Sequence, residues 1–293
     1  MHLTRSMSGR SNVRFQVAIF VASALALLLM VPRALVGLPS AGLDRGFGRL
    51  YDLDFTGAQK EFESWEKVNP ENPMGPVSEA AGILFSEFDR LGVLEAQFYE
   101  DDSVFAARKK YDADPLKRVL FEQQLDRAEN LAKARLSRDA HDRDALLAMT
   151  LSNGLHSDYA ALIEKRNMAS LHYTKEATGW SQQLIAVDPT CYDAHLASGV
   201  SRYIVGSMAA PVRWVLRLGG VSGDKAAGIA ELKLTAEQGH LLAPFARILL
   251  SIAYVREKDL PRAREILMAL QKEYPNNTLF GRELSRIDQR ASR

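Results

Sequence analysis

The sequence predicts an all-α solenoid of stacked helical hairpins with irregular repeats and one inserted short helix, preceded by an N-terminal signal or anchor segment. Three observations predict it. From Asp44 onward Ala, Leu, Glu, Lys, Arg and Gln dominate, and runs of alternating β-branched residues are few. Amphipathic stretches of single-helix length recur, each too small to bury its apolar stripe alone, so each must stack on a neighbour. Small residues and prolines then repeat at fixed offsets within those stretches, which is the mark of a tandem array. The 293 residues, 47% hydrophobic and 25% charged, have an ordinary globular composition with room for one or two domains.

Residues 1–42 read as an export segment and residues 43–288 as the repeat domain. An acid-free stretch carrying Arg5, Arg10 and Arg14 runs into the apolar block Val17 to Val31. That block suits a signal-peptide core and is shorter than the roughly 20 residues a spanning helix prefers. Ser40-Ala41-Gly42 has the small-x-small pattern of a cleavage site. If the segment is retained instead, 17–31 forms a single membrane anchor, and the arginines before it keep the N-terminus inside and the body outside the cytoplasm. The expected location is therefore periplasmic or membrane-anchored with the body exported. A mitochondrial presequence is the competing reading, and the continuity of the apolar block speaks against it.

The body then reads as successive helices. Phe55 to Val68 places Phe55, Ala58, Phe62 and Trp65 on one stripe, with Thr56 and Gln59 forming a capping-box pattern at its start. Arg143 to Lys165 and Met168 to Val187 read as helices longer than one repeat needs. Pro261 to Tyr274 carries Ala263, Ile266, Leu267 and Leu270 on one face, entered through Asp259 and Pro261. Pro70, Pro189 and Pro275 stand where the preceding helices must end. Ala58, Ala177 and Ala263 each lie 12 residues before one of these prolines, the offset of the small second-helix residue in a tetratricopeptide repeat. Tyr254, 21 residues before Pro275, and Gly199, ten after Pro189, fit the same register. Pro189 and Pro275 are 86 residues apart, more than two repeats require, and the excess falls at Gly206 to Gly223. There Pro211 to Leu218 predicts a short apolar helix that either caps exposed apolar surface or shapes a pocket.

Residues Leu50 to Pro70 (LYDLDFTGAQKEFESWEKVNP), Ala186 to Tyr203 (AVDPTCYDAHLASGVSRY) and Val215 to Pro275 resemble a family of exported bacterial tetratricopeptide proteins. The stretch around LGGVSGDKAAGIAELKLTAEQGH, within 199–254, is also similar to the tetratricopeptide-39 group. The resemblance implies helical hairpins and a binding role. It brings no catalytic residue.

Several function classes are disfavoured by the residues themselves. Lys and Arg number 37 against 36 Asp and Glu. Setting aside the four arginines before residue 34 (Arg5, Arg10, Arg14, Arg33) leaves 33 against 36, a poor field for nucleic acid. The single Cys191 makes neither an intrachain disulfide nor a Cys-based zinc site. Leu218 to Lys225 (LGGVSGDK) looks like a phosphate loop but has one residue too few between its glycines, an Asp before the Lys, and Ala226 in place of the metal-binding hydroxyl. The histidines are scattered, and no catalytic triad, metal set or cofactor site is expected.

The functional expectation is a non-catalytic protein-interaction scaffold, with a helical carrier for an apolar small molecule or lipid as the alternative. The first helix of each repeat lines the concave side of such a solenoid, so the candidate partner groove comprises Asp193, Val200 and Tyr203 on one helix with Ile252 and Arg256 on another. Tyr203 and Arg256 are the side-chain types that dominate binding hot spots. The alternatives are packing of Tyr203 against the inserted helix at Trp214, and Arg256 in solvent near Lys258.

The export reading makes a direct prediction. An alkaline phosphatase fused to the C-terminus should be active in the native host, and a fluorescent protein that matures only in the cytoplasm should stay dark in the same position. The reverse pattern would refute it.

Overall fold

The computed structural model describes residues 41–95, 110–218, 220 and 222–291; the expected leader and the 17–31 apolar run lie outside them. The described chain is a succession of α-helices: α1 Ala41–Tyr51, α2 Phe55–Val68, α3 Met74–Arg90, α4 Pro115–Leu136, α5 Arg143–Asp158, α6 Asn167–Val187, α7 His195–Ser207, α8 Ala210–Leu218, α9 Lys225–Gln238, α10 Ala243–Arg256, α11 Leu260–Glu273 and α12 Thr278–Ala291. From α2 to α7 each helix packs on the next, α7 then packs on α9 rather than α8, and the series resumes through α12. The result is a run of hairpins, α1/α2, α3/α4, α5/α6, α7/α9 and α10/α11, with α12 packed on α11. No strand occurs among the described residues.

The repetition is visible in the turns. Among the described residues three non-glycine positions have positive φ: Leu53 at 63°, Lys165 at 58° and Lys258 at 63°. Each stands at the reversal between the two helices of a hairpin. The residues that follow them, Asp54, Arg166 and Asp259, share nearly the same backbone conformation. Leu53 and Lys258 lie 17 residues before Pro70 and Pro275, whereas Lys165 lies 24 before Pro189, so α6 is longer by two helical turns and keeps its faces in phase. The exits repeat as well. The N–H groups of Asn72, Cys191 and Asn277 donate to the carbonyls of Asn69, Asp188 and Tyr274, each just before a proline (3.0, 3.1 and 3.2 Å).

Two local expectations are corrected. The N-cap of α2 is Asp54, whose carboxylate accepts from Gly57 N at 2.8 Å; Thr56 is already inside the helix, because Asp54 is the residue left non-helical by the turn at Leu53. Arg143 to Lys165 is not one uniform helix. After Asp158 the coil widens to a π turn over Tyr159–Ile163, with Glu164 N bonding back to Tyr159 O, and the chain reverses at Lys165.

The core follows the small-residue offsets. Ala58, Ala177 and Ala263 are buried, as are Phe62, Trp65, Leu267 and Leu270 on the same stripes. Gly42 and Gly46 lie against Trp65 and Phe62, which lets α1 sit low on α2. One core cluster runs through α1–α6 and also takes in Leu241 and Leu242; another is built from α9–α12.

Helices α7 and α9 approach one another backbone to backbone. A Cβ placed on Gly228 would stand 2.5 Å from Tyr203 N, and one on Gly223 would stand 2.2 Å from Gly206 N. Asp224 N also donates to Arg202 O at 3.1 Å. Of the glycines that look like a phosphate loop in sequence, Gly223 is therefore there for backbone approach, and Asp224 caps α9 by accepting from Ala227 N.

Two glycine substitutions of opposite sign test this crossing. Gly228→Ala forces backbone against backbone and should cost about 1–3 kcal/mol of unfolding free energy. Gly179→Ala in α6, whose added Cβ would meet nothing within 4 Å, should gain about 0.5–1 kcal/mol. Urea denaturation checks both, and equal effects would refute the crossing.

Candidate functional site

The ends of the hairpin array meet, and this decides what the expected groove becomes. The Tyr51 hydroxyl donates to Leu241 O at 2.8 Å, and its ring lies 5.8 Å from that of Tyr274. Asn277 Nδ2 donates to Tyr51 O at 2.8 Å, and the Asp52 carboxylate accepts from both the backbone and the side chain of Asn276. Phe85 of α3 meets Phe245 of α10 edge-on at 5.5 Å, and Glu95 faces Arg282 and Arg286 of α12 at 3.5 and 3.4 Å. Helices from the first half therefore occupy space beside α10–α12 that an open coil would leave to a partner.

The five groove candidates sit accordingly. Asp193, in the short turn Tyr192–Ala194, is only 5% exposed, and its carboxylate accepts from the N–H groups of His240, Leu241 and Leu242 at 2.8, 2.9 and 3.2 Å. These are donors at the entry to α10 that no preceding helical carbonyl reaches, so Asp193 is a clamp between hairpins and not a surface residue. Tyr203 is 7% exposed; its hydroxyl lies 3.4 Å from both Ala253 O and Glu257 Oε1. It lies against α10, while Trp214 stands 64% exposed on the inserted helix. Burial pushes its phenol above the ordinary value, with the nearby Glu257 carboxylate adding to the shift and Arg256 opposing it. Val200 is half-buried against the α9–α12 core, and Ile252 and Arg256 are also half-buried. The structure thus brings Tyr203, Arg256, Glu257 and Lys225 together, the last two paired at 2.7 Å, and sets Asp193 apart. Of the packing residues, Tyr254 lies under the Arg262 guanidinium at 5.7 Å, and Gly199 is covered by Leu232.

Other candidate chemistry is dispersed. Burial, reinforced by Asp193, raises the Cys191 thiol above its ordinary range, the opposite of what a nucleophile needs. Among the described residues no group of three or more His, Cys, Asp or Glu could hold a metal ion. A small cleft between α3 and α4 is lined by Leu84, Glu87, Lys117, Arg118, Phe121 and Tyr159.

A polar cluster is buried between α2, α3 and α4. Glu79 of α3 receives the side-chain amides of Gln59 (3.1 Å) and Gln124 (2.8 Å) and lies against Glu66 of α2, which pairs with Arg127 of α4. Burial, then the Glu66 and Glu63 carboxylates, push Glu79 up to about 8, with Arg127 acting the other way. Glu66 Oε2 is buried with no donor of its own. A proton on Glu79 supplies that donor, making the two an acid–carboxylate pair between α2 and α3.

Two apolar surfaces escape the spacing argument. Leu116, Val119 and Leu120 form an i, i+3, i+4 stripe on the outer side of α4, at 67, 51 and 41% exposure. On α8, Val212, Trp214 and Leu218 face water. The signal for the second was present in sequence, since residues 207–223 contain Arg213 and Arg217 and no acid.

The described residues thus define an all-α protein of tandem helical hairpins. No family model and no curated protein matches the chain. Among solved structures it is similar to a thermophilic TPR protein of Thermus thermophilus, at 16% identity and a TM-score of 0.43, over 85% of this chain and 98% of that one. A likeness of that degree carries nothing about function.

The Glu66–Glu79 pair makes stability depend on pH. A carboxyl whose pKa rises on folding favours the fold while protonated. Its contribution is complete below the ordinary value of 4.5 and is lost as pH rises through about 8. Glu79→Gln keeps the hydrogen bonds to the neutral form and should flatten the decline in the urea midpoint across that interval. A parallel decline in wild type and variant would show that the proton is held elsewhere.

Proposed function

We propose that this chain is a non-catalytic tetratricopeptide-type scaffold that binds a protein partner in the cell envelope or exported compartment, with residues 1–42 as its address or anchor. The observation that supports partner binding is the stripe Leu116, Val119 and Leu120, three large apolar side chains within about one helical turn that the fold leaves in water. Such a stripe costs solubility and is retained where a partner covers it. The tetratricopeptide reading is supported by the recurring turns at Leu53, Lys165 and Lys258 and the exits at Pro70, Pro189 and Pro275. The anchor and compartment rest on the arginine-then-apolar pattern of the leader. With Asp193 and Tyr203 buried, the partner face moves from the concave positions to the outer side of α4.

The test is site-specific. A photoreactive side chain replacing Leu116 should give discrete cross-linked polypeptides in native cells. Val119→Asp combined with Leu120→Asp should remove them while leaving the circular dichroism spectrum and melting midpoint unchanged, because both side chains are exposed. Cross-links that survive the double substitution would move the interface off this face.

A further inference from the structure

We propose that helix α8 is an interfacial membrane contact that lies on an anionic lipid bilayer. The chain leaves the body at Gly206 and returns at Gly223, where the two backbones meet so closely that neither position has room for a side chain. Everything between is an excursion rooted at one point. Within it α8 runs nine residues, too short at 1.5 Å per residue to cross a bilayer, and long enough to lie in its surface.

The orientation of α8 follows from what holds it. Arg213 Nη1 donates to Gly206 O at 3.0 Å, and Leu216 is half-buried, so the Leu216–Arg213 edge faces the body. At 100° per residue, Trp214, Leu218 and Pro211 then fall on the arc that points away, and Val212 lies on its flank beside Leu216. Trp214 and Leu218 are 64% and 71% exposed, and Val212 on the flank is 46% exposed. Ile204 and Met208, at the root of the excursion, are exposed as well. Arg217 flanks the apolar arc, and Lys175 approaches the far end of the helix at Gly220.

Charge selects the occupant. Beyond its leader the chain carries more acids than bases, yet the excursion from Ser207 to Gly223 has two arginines and no acid. A body of slight negative charge would be turned by an anionic surface so that this loop approaches first. Between Met208 and Leu218 the only polar side chains are those two arginines. That suits lipid phosphates below an apolar wedge with Trp at the boundary, whereas a protein groove would call for side chains that fix a register. This contact uses a different face from the α4 stripe and does not depend on the scaffold reading.

The experiment uses the full chain in vesicles of equimolar phosphatidylcholine and phosphatidylglycerol with brominated acyl chains, compared with brominated phosphatidylcholine alone. Bromines quench a tryptophan only on contact, so the readout reports a residue rather than attachment through the leader. The expected result is quenching on anionic vesicles that is lost in Trp214→Phe, since Trp65 is buried and Trp180 packs against the core. Arg217→Gln should reduce the inserted fraction about fivefold on anionic vesicles. Leu218→Asp should abolish insertion, with circular dichroism confirming that the body is folded. Equal quenching of wild type and Trp214→Phe, or equal insertion into neutral and anionic vesicles, would overturn the proposal. So would a Trp214 that stays unquenched on vesicles but cross-links to a protein.

Discussion

Tyr51 closes the coil. Its hydroxyl, ring and backbone carbonyl bind Leu241, Tyr274 and Asn277, positions about 190 to 226 residues further along the chain. A row of hairpins stacked only through neighbours keeps a continuous concave face. Once the first hairpin docks against the turn after α11, that face becomes core, and Leu241 and Leu242 join the apolar cluster of α1–α6. Asp193 is buried beside this closure, where it holds the N–H groups of Leu241 and Leu242, whereas Tyr203 is buried by the neighbouring helix α10.

The departures from strict repetition are where outer surface was added. Lengthening α6 by two turns changes its reach without rotating its buried face, since seven residues return nearly to the same side of a helix. The α8 excursion achieves its freedom differently. It is inserted between the two helices of a hairpin, α7 and α9, and its glycine root lets those helices pack as though nothing intervened. Both devices keep the core register intact while the exterior diverges.

Buried polar groups fix the angles between hairpins. The Asp193 carboxylate engages three successive N–H groups, an arrangement that a sliding apolar contact cannot reproduce. Glu79 does comparable work in the first half, where its proton joins α3 to α2 and the amides of Gln59 and Gln124 hold it from two sides. Such groups add direction to packing that would otherwise accept a range of crossings.

The sequence by itself determined the helices, their proline-marked ends and the small residues at their crossings. These depend on propensity, capping and close approach, which are set by residues within a few turns of one another. Even there it misplaced the start of α2, because choosing Asp54 over Thr56 required knowing that Leu53 turns left-handed. Only the tertiary structure decided which faces meet water. Asp193 read as a groove residue because nothing nearby announces that the donors of His240, Leu241 and Leu242 will arrive beside it. The apolar arc of α8 read as cover for a solenoid face, yet Trp214 and Leu218 stand in solvent. The fate of an amphipathic face is settled by the pitch at which hairpins stack. That pitch sums small rotations over the whole array, and no local pattern encodes the sum.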